Sequence, residues 1–230
     1  MGNILIVEDD ASIRKLVCVN LEKRGYTMFE ASDGTQAMSL FRQHPFDLVL
    51  LDLVLPGLSG VDVCIWIRSR SDTPIIVLSG MRDEDLKVTA LDAGADDYIT
   101  KPFGHEELLA RVRAVLRRAT PHAEAGREKL EIDGLSIDFE TRRVRVDGED
   151  ISLTKTEYAL LVELATHPDA VVDHNSLLAR VWGPQYRDAN HYLHIYLGRV
   201  RKKLGAHGDL LETIPGVGYR LQFSKRSDTQ

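Results

Sequence analysis

The chain has 230 residues, of which 43% are hydrophobic and 28% are charged, and its formal net charge is −6. This length and composition exclude a fibrous or disordered chain and favour a globular protein with two domains. Since no apolar run reaches the ~18 residues of a membrane helix and no signal-peptide pattern opens the chain, we expect a cytoplasmic protein with no membrane partner. The two cysteines, Cys18 and Cys64, are expected to be buried thiols.

The first half alternates apolar runs with amphipathic stretches, which predicts five βα units. Strands are predicted over residues 3–7, 27–30, 47–52, 74–79 and 96–100. Helices are predicted over residues 11–24, 34–43, 60–69, 83–93 and 104–118. Five such units predict a parallel sheet covered by helices on both faces.

The periodicity stops after Arg118, and residues 120–129 are predicted to be a linker because they contain Pro and Gly and lack an apolar period. Short alternating strands then predict antiparallel hairpins, at 130–132, 135–139 and 143–146. A capping box with Thr154 at the N-cap and Glu157 at N3 opens the first of three helices. The first helix is predicted to end near residue 166, the second to span 175–182 and the third to span 190–204. A last hairpin is predicted to contain residues 216–219.

Polar residues end four of the predicted strands: Glu8 and Asp9, Asp52, Ser79, and Lys101. In a parallel sheet these strand ends gather at one edge, where ligands bind. Any one of these residues alone could simply cap the next element, but the four together favour a site. Neighbouring carboxylates repel one another unless a divalent cation lies among them, and Mg²⁺ suits such a cluster. The pattern predicts magnesium-assisted phosphoryl transfer onto Asp52, with Lys101 and Ser79 binding the phosphoryl oxygens.

The first half resembles the receiver domain of bacterial two-component response regulators. The motifs that carry the resemblance are Val7-Glu8-Asp9-Asp10, Leu51-Asp52-Leu53-Val54-Leu55-Pro56-Gly57, Leu78-Ser79-Gly80 and residues 94–103. The resemblance implies a receiver domain over residues 1–119 with a flavodoxin-like α/β fold, in which five parallel strands are ordered 2-1-3-4-5. It also implies a cis peptide between Lys101 and Pro102.

The same resemblance assigns roles to the polar edge. Its assignments are a phosphoacceptor (Asp52), a magnesium site (Glu8, Asp9, Asp52 and the Val54 carbonyl), a switch pair (Ser79 and Tyr98) and a phosphate-binding lysine (Lys101). A sensor histidine kinase would supply the phosphoryl group. We expect Tyr98 to turn inward when Asp52 is phosphorylated.

A homodimer formed on phosphorylation is expected through the face built by residues 83–118. Charged residues there are expected to form reciprocal ion pairs across a two-fold axis: Lys87, Asp96, Asp97, Glu107, Arg111 and Arg118. Exposed ion pairs contribute only about 0–1 kcal/mol each, so they would set the register while an apolar contact supplies most of the affinity.

The acidic chain contains one basic segment. Residues 174–208 hold a single acid, Asp188, and these basic residues: Arg180, Arg187, Arg199, Arg201, Lys202 and Lys203. A compact basic segment in an acidic chain favours one anionic contact face over general polyanion binding.

The predicted helix over residues 190–204 has two different faces. One is an apolar stripe of Leu193, Leu197, Val200 and Leu204. The opposite face carries His191, Ile195, Gly198 and Lys202, flanked by His194, Arg199 and Arg201. Such a helix can be a solvated basic surface helix or can enter a major groove. The preceding helix and the following Gly-rich hairpin favour the second interpretation.

Residues 130–225 resemble the α+β winged helix-turn-helix effector of the OmpR/PhoB subfamily, and within it the potassium-uptake (Kdp) regulators. The segments that match the subfamily are residues 153–161, 181–183, 199–204 and 216–220, and the likeness to the Kdp regulators rests on residues 181–184 and 191–198. Residues 226–230 are expected to form a tail. The expected DNA contacts are His191, His194, Gly198, Arg199, Arg201, Lys202 and Arg220. Pro215 stands where the subfamily often carries arginine, so the wing is expected to contribute through Arg220 and backbone amides.

The sequence therefore predicts a transcriptional regulator that is activated by phosphorylation and binds paired DNA half-sites, with RNA polymerase as a further partner. Two alternatives are a DNA binder that does not depend on phosphorylation and a metal-dependent aspartyl-phosphate phosphohydrolase. The second is disfavoured because such an enzyme needs an acid or base close after its nucleophile. The second residue after Asp52 is Val54, which cannot transfer protons.

Overall fold

The computed structural model describes residues 2–80, 84–118, 129–187 and 189–223. For residues 84–87 and 118 it describes the backbone only. The chain divides into two compact units, residues 1–119 and 120–230. The predicted linker over 120–129 lies outside the described residues except for Lys129, which already belongs to a strand. The predicted tail, 226–230, also lies outside them.

The sheet of the first unit has five parallel strands in the predicted order, β2-β1-β3-β4-β5. The strands are β1 (Asn3–Val7), β2 (Thr27–Ala31), β3 (Leu48–Asp52), β4 (Ile75–Ser79) and β5 (Asp97–Thr100). The three inner strands are buried along nearly their whole length, because both faces of the sheet are covered. The flavodoxin-like prediction is confirmed.

Five helices cover this sheet: α1 (Ala11–Glu22), α2 (Gly34–Gln43), α3 (Gly60–Arg68), α4 (Glu84–Asp92) and α5 (His105–Arg118). Their ends lie within two residues of the predicted ones. Asp10, Asp33 and Ser59 begin the first three helices, because each side chain accepts a hydrogen bond from a backbone N–H of the first turn. One core cluster joins residues of α1 and α5 to alternate residues of the strands, including Ile4, Leu50 and Ile76.

The second unit begins with an antiparallel sheet of four strands, β6 (Lys129–Ile132), β7 (Leu135–Asp138), β8 (Arg143–Val146) and β9 (Glu149–Ile151). Three helices follow, α6 (Lys155–Ala165), α7 (His174–Val181) and α8 (Asn190–Leu204). A second antiparallel sheet, in the order β10-β12-β11, contains β10 (Val172–Asp173), β11 (Leu211–Ile214) and β12 (Gly218–Leu221). This is the predicted α+β winged-helix arrangement, with β11 and β12 as the wing.

The capping box predicted for α6 is present and has an additional partner. The Glu157 carboxylate accepts from the Thr154 backbone N–H at 2.8 Å, and Thr154 Oγ1 accepts from the Glu157 N–H at 3.3 Å. The Lys203 ammonium also donates to Glu157 Oε2, at 2.6 Å. The start of α6 is thereby joined to the end of α8.

Both cysteines are buried thiols, as predicted. Burial raises the pKa of the Cys18 thiol to about 12, so this thiol stays protonated at neutral pH. Among the helices of the described ranges, none has the length and apolar character needed to cross a membrane.

Candidate functional site

The predicted polar residues meet at the carboxyl edge of the first sheet. Glu8 and Asp9 follow β1, Asp52 ends β3, and one carboxylate oxygen of each lies within 4.8 Å of the other two. Glu8 is 1% exposed and Asp52 is 5% exposed, whereas Asp9 faces solvent. The parallel strands therefore bring Asp52 beside Glu8 and Asp9, which lie far earlier in the sequence.

The Lys101 ammonium lies between two of these carboxylates. Its Nζ is 2.5 Å from Glu8 Oε2 and also contacts Asp52 Oδ2. Although burial alone would lower the pKa of Lys101, the hydrogen bonds to Asp52 and Glu8 raise this pKa above its usual value. Burial raises the pKa of Glu8, and Lys101 only partly opposes that effect. The Lys101-Pro102 peptide bond is cis, as expected.

Two buried oxygens of this edge have hydrogen-bonding capacity that the described residues do not use. Glu8 Oε1 and Ser79 Oγ have no hydrogen-bond partner there, although buried polar atoms are normally paired. Asp52 Oδ1 is fixed by the backbone N–H of Val54, at 2.9 Å. Three carboxylates and one ammonium leave two formal negative charges, so the cluster suits Mg²⁺ and the Ser79 hydroxyl suits a phosphoryl oxygen.

Sequence reasoning missed two residues that position the acidic edge. Arg14 Nη1 donates to the backbone carbonyls of Glu8, at 2.6 Å, and Asp9, at 3.3 Å. A Cβ on Gly60 would lie 2.0 Å from the Asp52 carbonyl oxygen, so only glycine lets α3 begin against the end of β3. A basic residue in α1 and a glycine at a helix start have many other uses, so the sequence carried no specific signal for either.

The switch residue Tyr98 is buried, with its side chain only 4% exposed. Its inward turn on phosphorylation stays a prediction. Tyr98 lies on β5 beside β4, where it pairs in register with Val77.

The charged residues of the predicted dimer face are partly used within one chain. Asp97 is fully buried, and its Oδ1 lies 3.1 Å from Arg111 Nη1 of the same chain. Asp96 is also buried and accepts from Arg68 Nη2 at 2.9 Å. The expected surface position of Asp96 and Asp97 is therefore wrong. Glu107 is exposed and pairs with Arg111 at 3.1 Å, and the side chains of Lys87 and Arg118 lie outside the described residues.

The two faces predicted for α8 are confirmed. Leu193, Leu197, Val200 and Leu204 are fully buried. The solvent face carries His191, His194, Gly198 and Lys202, all of them exposed. A Cβ at Gly198 would meet no atom within 4 Å, so this face is open at the middle of the helix. Ile195 and Arg199 are half-buried, and the Arg199 guanidinium lies 4.9 Å from the centre of the Tyr196 ring.

Two arginines that were predicted to contact DNA are bound within their own domain. Arg201 donates through Nε and Nη2 to the Leu211 carbonyl, at 2.9 and 2.7 Å, because it lies at the edge of the buried stripe beside β11. Arg220 Nε donates to Glu212 Oε2 at 3.0 Å, and these residues are cross-strand partners in the wing. Each guanidinium thus has an internal partner, and contact of either one with DNA stays a prediction.

A receiver fold with an acidic edge, followed by a winged-helix unit, defines the class of DNA-binding response regulators. The chain matches the family model described as response regulator receiver domain over residues 4–113. It also matches the model described as transcriptional regulatory protein, C terminal, over residues 148–221.

Curated relatives and solved structures agree with this class. The chain is 43% identical over 225 residues to the transcriptional regulatory protein KdpE of Mycobacterium tuberculosis, with 96% of this chain and 100% of the relative covered. It is 41% identical over 223 residues to the response regulator MprA of Mycolicibacterium vanbaalenii, with 95% and 96% covered. A solved mutant of RitR matches with a TM-score of 0.78 at 27% identity, covering 97% of this chain and 100% of that one. DrrB of Thermotoga maritima, an OmpR/PhoB homologue, matches with a TM-score of 0.52 at 32% identity, covering 96% and 99%.

The chain belongs to the OmpR/PhoB family of response regulators. It is thus a two-component transcriptional regulator, and its family implies a histidine kinase and DNA as partners. The KdpE relative agrees with the resemblance to the Kdp regulators. Receiver domains typically bind Mg²⁺, and the cluster of Glu8, Asp9 and Asp52 suits that ion.

Proposed function

We propose that a histidine kinase transfers a phosphoryl group to Asp52, and that this transfer controls the binding of a homodimer to paired promoter half-sites. The observation that carries the proposal is the convergence of Glu8, Asp9 and Asp52 with Lys101 at one edge of the sheet. Family membership supports the partners: a cytoplasmic kinase domain, promoter DNA and RNA polymerase.

Each residue at this edge has a separate role in phosphoryl transfer. A carboxylate oxygen of Asp52 attacks phosphorus, so that an O–P bond forms as the bond to the kinase histidine breaks. Mg²⁺, held by Glu8, Asp9, Asp52 and the Val54 carbonyl, would neutralise charge on the phosphoryl oxygens. Lys101 Nζ already contacts Asp52 and would pair with one phosphoryl oxygen. The unpaired Ser79 hydroxyl would donate to another.

Phosphorylation acts on the face of residues 83–118 through the end of β4. Ser79 is the last residue of β4, and α4 starts at Glu84, so a displacement of Ser79 toward the phosphoryl group is passed to α4. The exposed residue Glu107 and its partner Arg111 lie on α5 of that face. Lys87 and Arg118 complete the proposed set of contacts between subunits. The aspartyl phosphate is then hydrolysed in place, and no outside substrate is turned over.

Treatment with acetyl phosphate and Mg²⁺ tests this function. The wild type is expected to become a dimer in analytical ultracentrifugation and to bind two half-sites about one helical turn apart more tightly. Asp9→Ala is expected to lose both responses and keep its fold, because Asp9 is exposed. An unchanged monomer with unchanged DNA affinity after phosphorylation of Asp52 would instead identify a DNA binder that does not depend on phosphorylation.

Gly198→Ala is expected to change protein stability and DNA affinity in opposite directions. Alanine favours the helix by about 0.5–1 kcal/mol over glycine, and the added methyl meets no protein atom. On the DNA-facing side that methyl obstructs the groove, and we expect binding to weaken about tenfold, the scale of one lost base contact. Urea unfolding and fluorescence anisotropy measure the two effects.

Gly104→Ala is the matched control for Gly198→Ala, because Gly104 lies in the first unit and is also open to an added Cβ. Its DNA affinity is expected to equal that of the wild type. Wild-type affinity in Gly198→Ala would show that α8 does not approach DNA at this residue.

A further inference from the structure

Tyr219 occupies a rigid position between the wing and α8. It lies on β12, the middle strand of its sheet, and pairs with Val172 on one side and Thr213 on the other. A Cβ at the preceding Gly218 would lie 2.0 Å from the Val172 carbonyl, so the strands are in close contact here. The Tyr219 side chain is 1% exposed. Its backbone is therefore held by a strand on each side, and its ring is buried.

The Tyr219 hydroxyl reaches an exposed residue of α8. It lies 3.1 Å from Nδ1 of His194, and the two rings are edge-to-face with centroids 6.2 Å apart. His194 belongs to the solvent face of α8, together with Gly198 and Lys202. Burial raises the pKa of Tyr219, with a smaller opposing effect from Arg201, so the phenol keeps its proton at neutral pH.

The burial of this phenol decides the direction of the hydrogen bond. A buried O–H that donates to nothing is costly, and His194 Nδ1 is the only hydrogen-bond partner of the Tyr219 hydroxyl among the described residues. The phenol therefore donates, and Nδ1 must offer a lone pair. In the neutral imidazole the proton then resides on Nε2, which becomes a hydrogen-bond donor.

The geometry points to Tyr219 as a positioning residue that fixes His194 in the Nε2–H tautomer, so that His194 reads hydrogen-bond acceptors in the major groove. Guanine presents two acceptors there, O6 and N7, whereas cytosine presents an amino donor. His194 thus favours guanine over cytosine at the base that it contacts. This inference rests on the proposed approach of α8 to DNA.

The tautomer is tested in the full-length protein without DNA, by long-range proton–nitrogen NMR of ¹⁵N-labelled histidine at neutral pH. The wild type is expected to show His194 as the Nε2–H form. Tyr219→Phe removes only the hydroxyl, and the His194 signals should shift toward a mixture of both forms. Tyr196→Phe removes another buried hydroxyl of this domain and should leave those signals unchanged. A wild-type Nδ1–H form, or identical His194 signals in Tyr219→Phe, would overturn the inference.

The base preference is tested with duplexes that carry each of the four bases at the position affected by His194→Ala. The wild type is expected to prefer guanine over cytosine about tenfold, which corresponds to 1.4 kcal/mol. Tyr219→Phe and His194→Ala should each reduce this preference to about twofold, and the double variant should lose no more than either one. Cooperative thermal unfolding of Tyr219→Phe shows that its fold is retained.

The outcomes separate this inference from the proposed function. Wild-type preference in Tyr219→Phe, or losses that add in the double variant, would overturn the positioning role while DNA binding stands. A wild type that binds no duplex at all would overturn the proposed function, and the reading of guanine with it.

Discussion

Asp52→Asn is expected to abolish phosphoryl uptake completely. The amide is a poor nucleophile, and among the clustered carboxylates Asp52 is the proposed acceptor, whereas Glu8 and Asp9 are proposed only as Mg²⁺ ligands. The fold should survive, because an asparagine carbonyl oxygen can still accept from the Val54 N–H and Lys101 keeps Glu8 as a partner. Intact mass measurement after incubation with acetyl phosphate and Mg²⁺ reports the result.

Asp10→Asn is the matched control for Asp52→Asn, since it changes a carboxylate of the same sheet edge. Asp10 caps α1 by accepting from the backbone N–H groups of Ser12 and Ile13, and these hydrogen bonds lower its pKa. Asparagine is also a good N-cap, so phosphoryl uptake should equal that of the wild type. A phosphoryl mass gain in Asp52→Asn equal to the wild-type gain would place the acceptor elsewhere.

Arg68→Ala is expected to lower the free energy of unfolding of the first unit by about 3–5 kcal/mol, the usual cost of breaking a buried charge pair. The Arg68 guanidinium lies 2.9 Å from the buried Asp96 carboxylate and also donates to the Gly94, Ser71 and Thr73 carbonyls. Without it, Asp96 and the carbonyl groups lose their main donor in a site that excludes water. Urea unfolding of the Arg68→Ala variant measures this loss of free energy.

Two further variants show whether the buried pair causes that loss. Arg70→Ala removes a nearby arginine whose guanidinium lies over the Trp66 ring, 4.4 Å from its centre, and should cost no more than about 1 kcal/mol. Adding Asp96→Ala to Arg68→Ala should recover part of the stability, because the Asp96 carboxylate that Arg68→Ala leaves buried and without its arginine is then removed. Equal losses in Arg68→Ala and Arg70→Ala would contradict the assigned role of Arg68.

Apolar periodicity predicted the strands and helices of the first unit, and the resemblance to receiver domains predicted the order of the strands. Alternation of apolar runs gave the five parallel strands, and the ends of those strands gave the cluster of Glu8, Asp52 and Lys101. The apolar stripe of α8 was predicted for the same reason. The strands β9 and β10 were missed because segments of three and two residues are too short to show alternation.

Periodicity predicts which face a residue occupies, but it does not predict the partner. Asp96 was assigned to a subunit interface although Arg68, 28 positions earlier in the chain, pairs with it internally. Arg201 was assigned to DNA although the carbonyl of Leu211 lies beside it. A charged residue at the edge of a buried stripe can pair within its own chain or contact another molecule, and only the tertiary fold shows whether an internal partner is within reach.

The link between Lys203 and Glu157 limits the charge that the second unit offers to a partner. Three consecutive cations end α8, but Lys203 is bound to the start of α6 and Arg201 to β11, which leaves Lys202 exposed. Arg180 is likewise engaged, at 2.5 Å from Glu163. Much of the basic segment thus neutralises the protein's own carboxylates and carbonyl dipoles. The lysines and arginines of this segment therefore stabilise the fold of the second unit as well as attracting a polyanion.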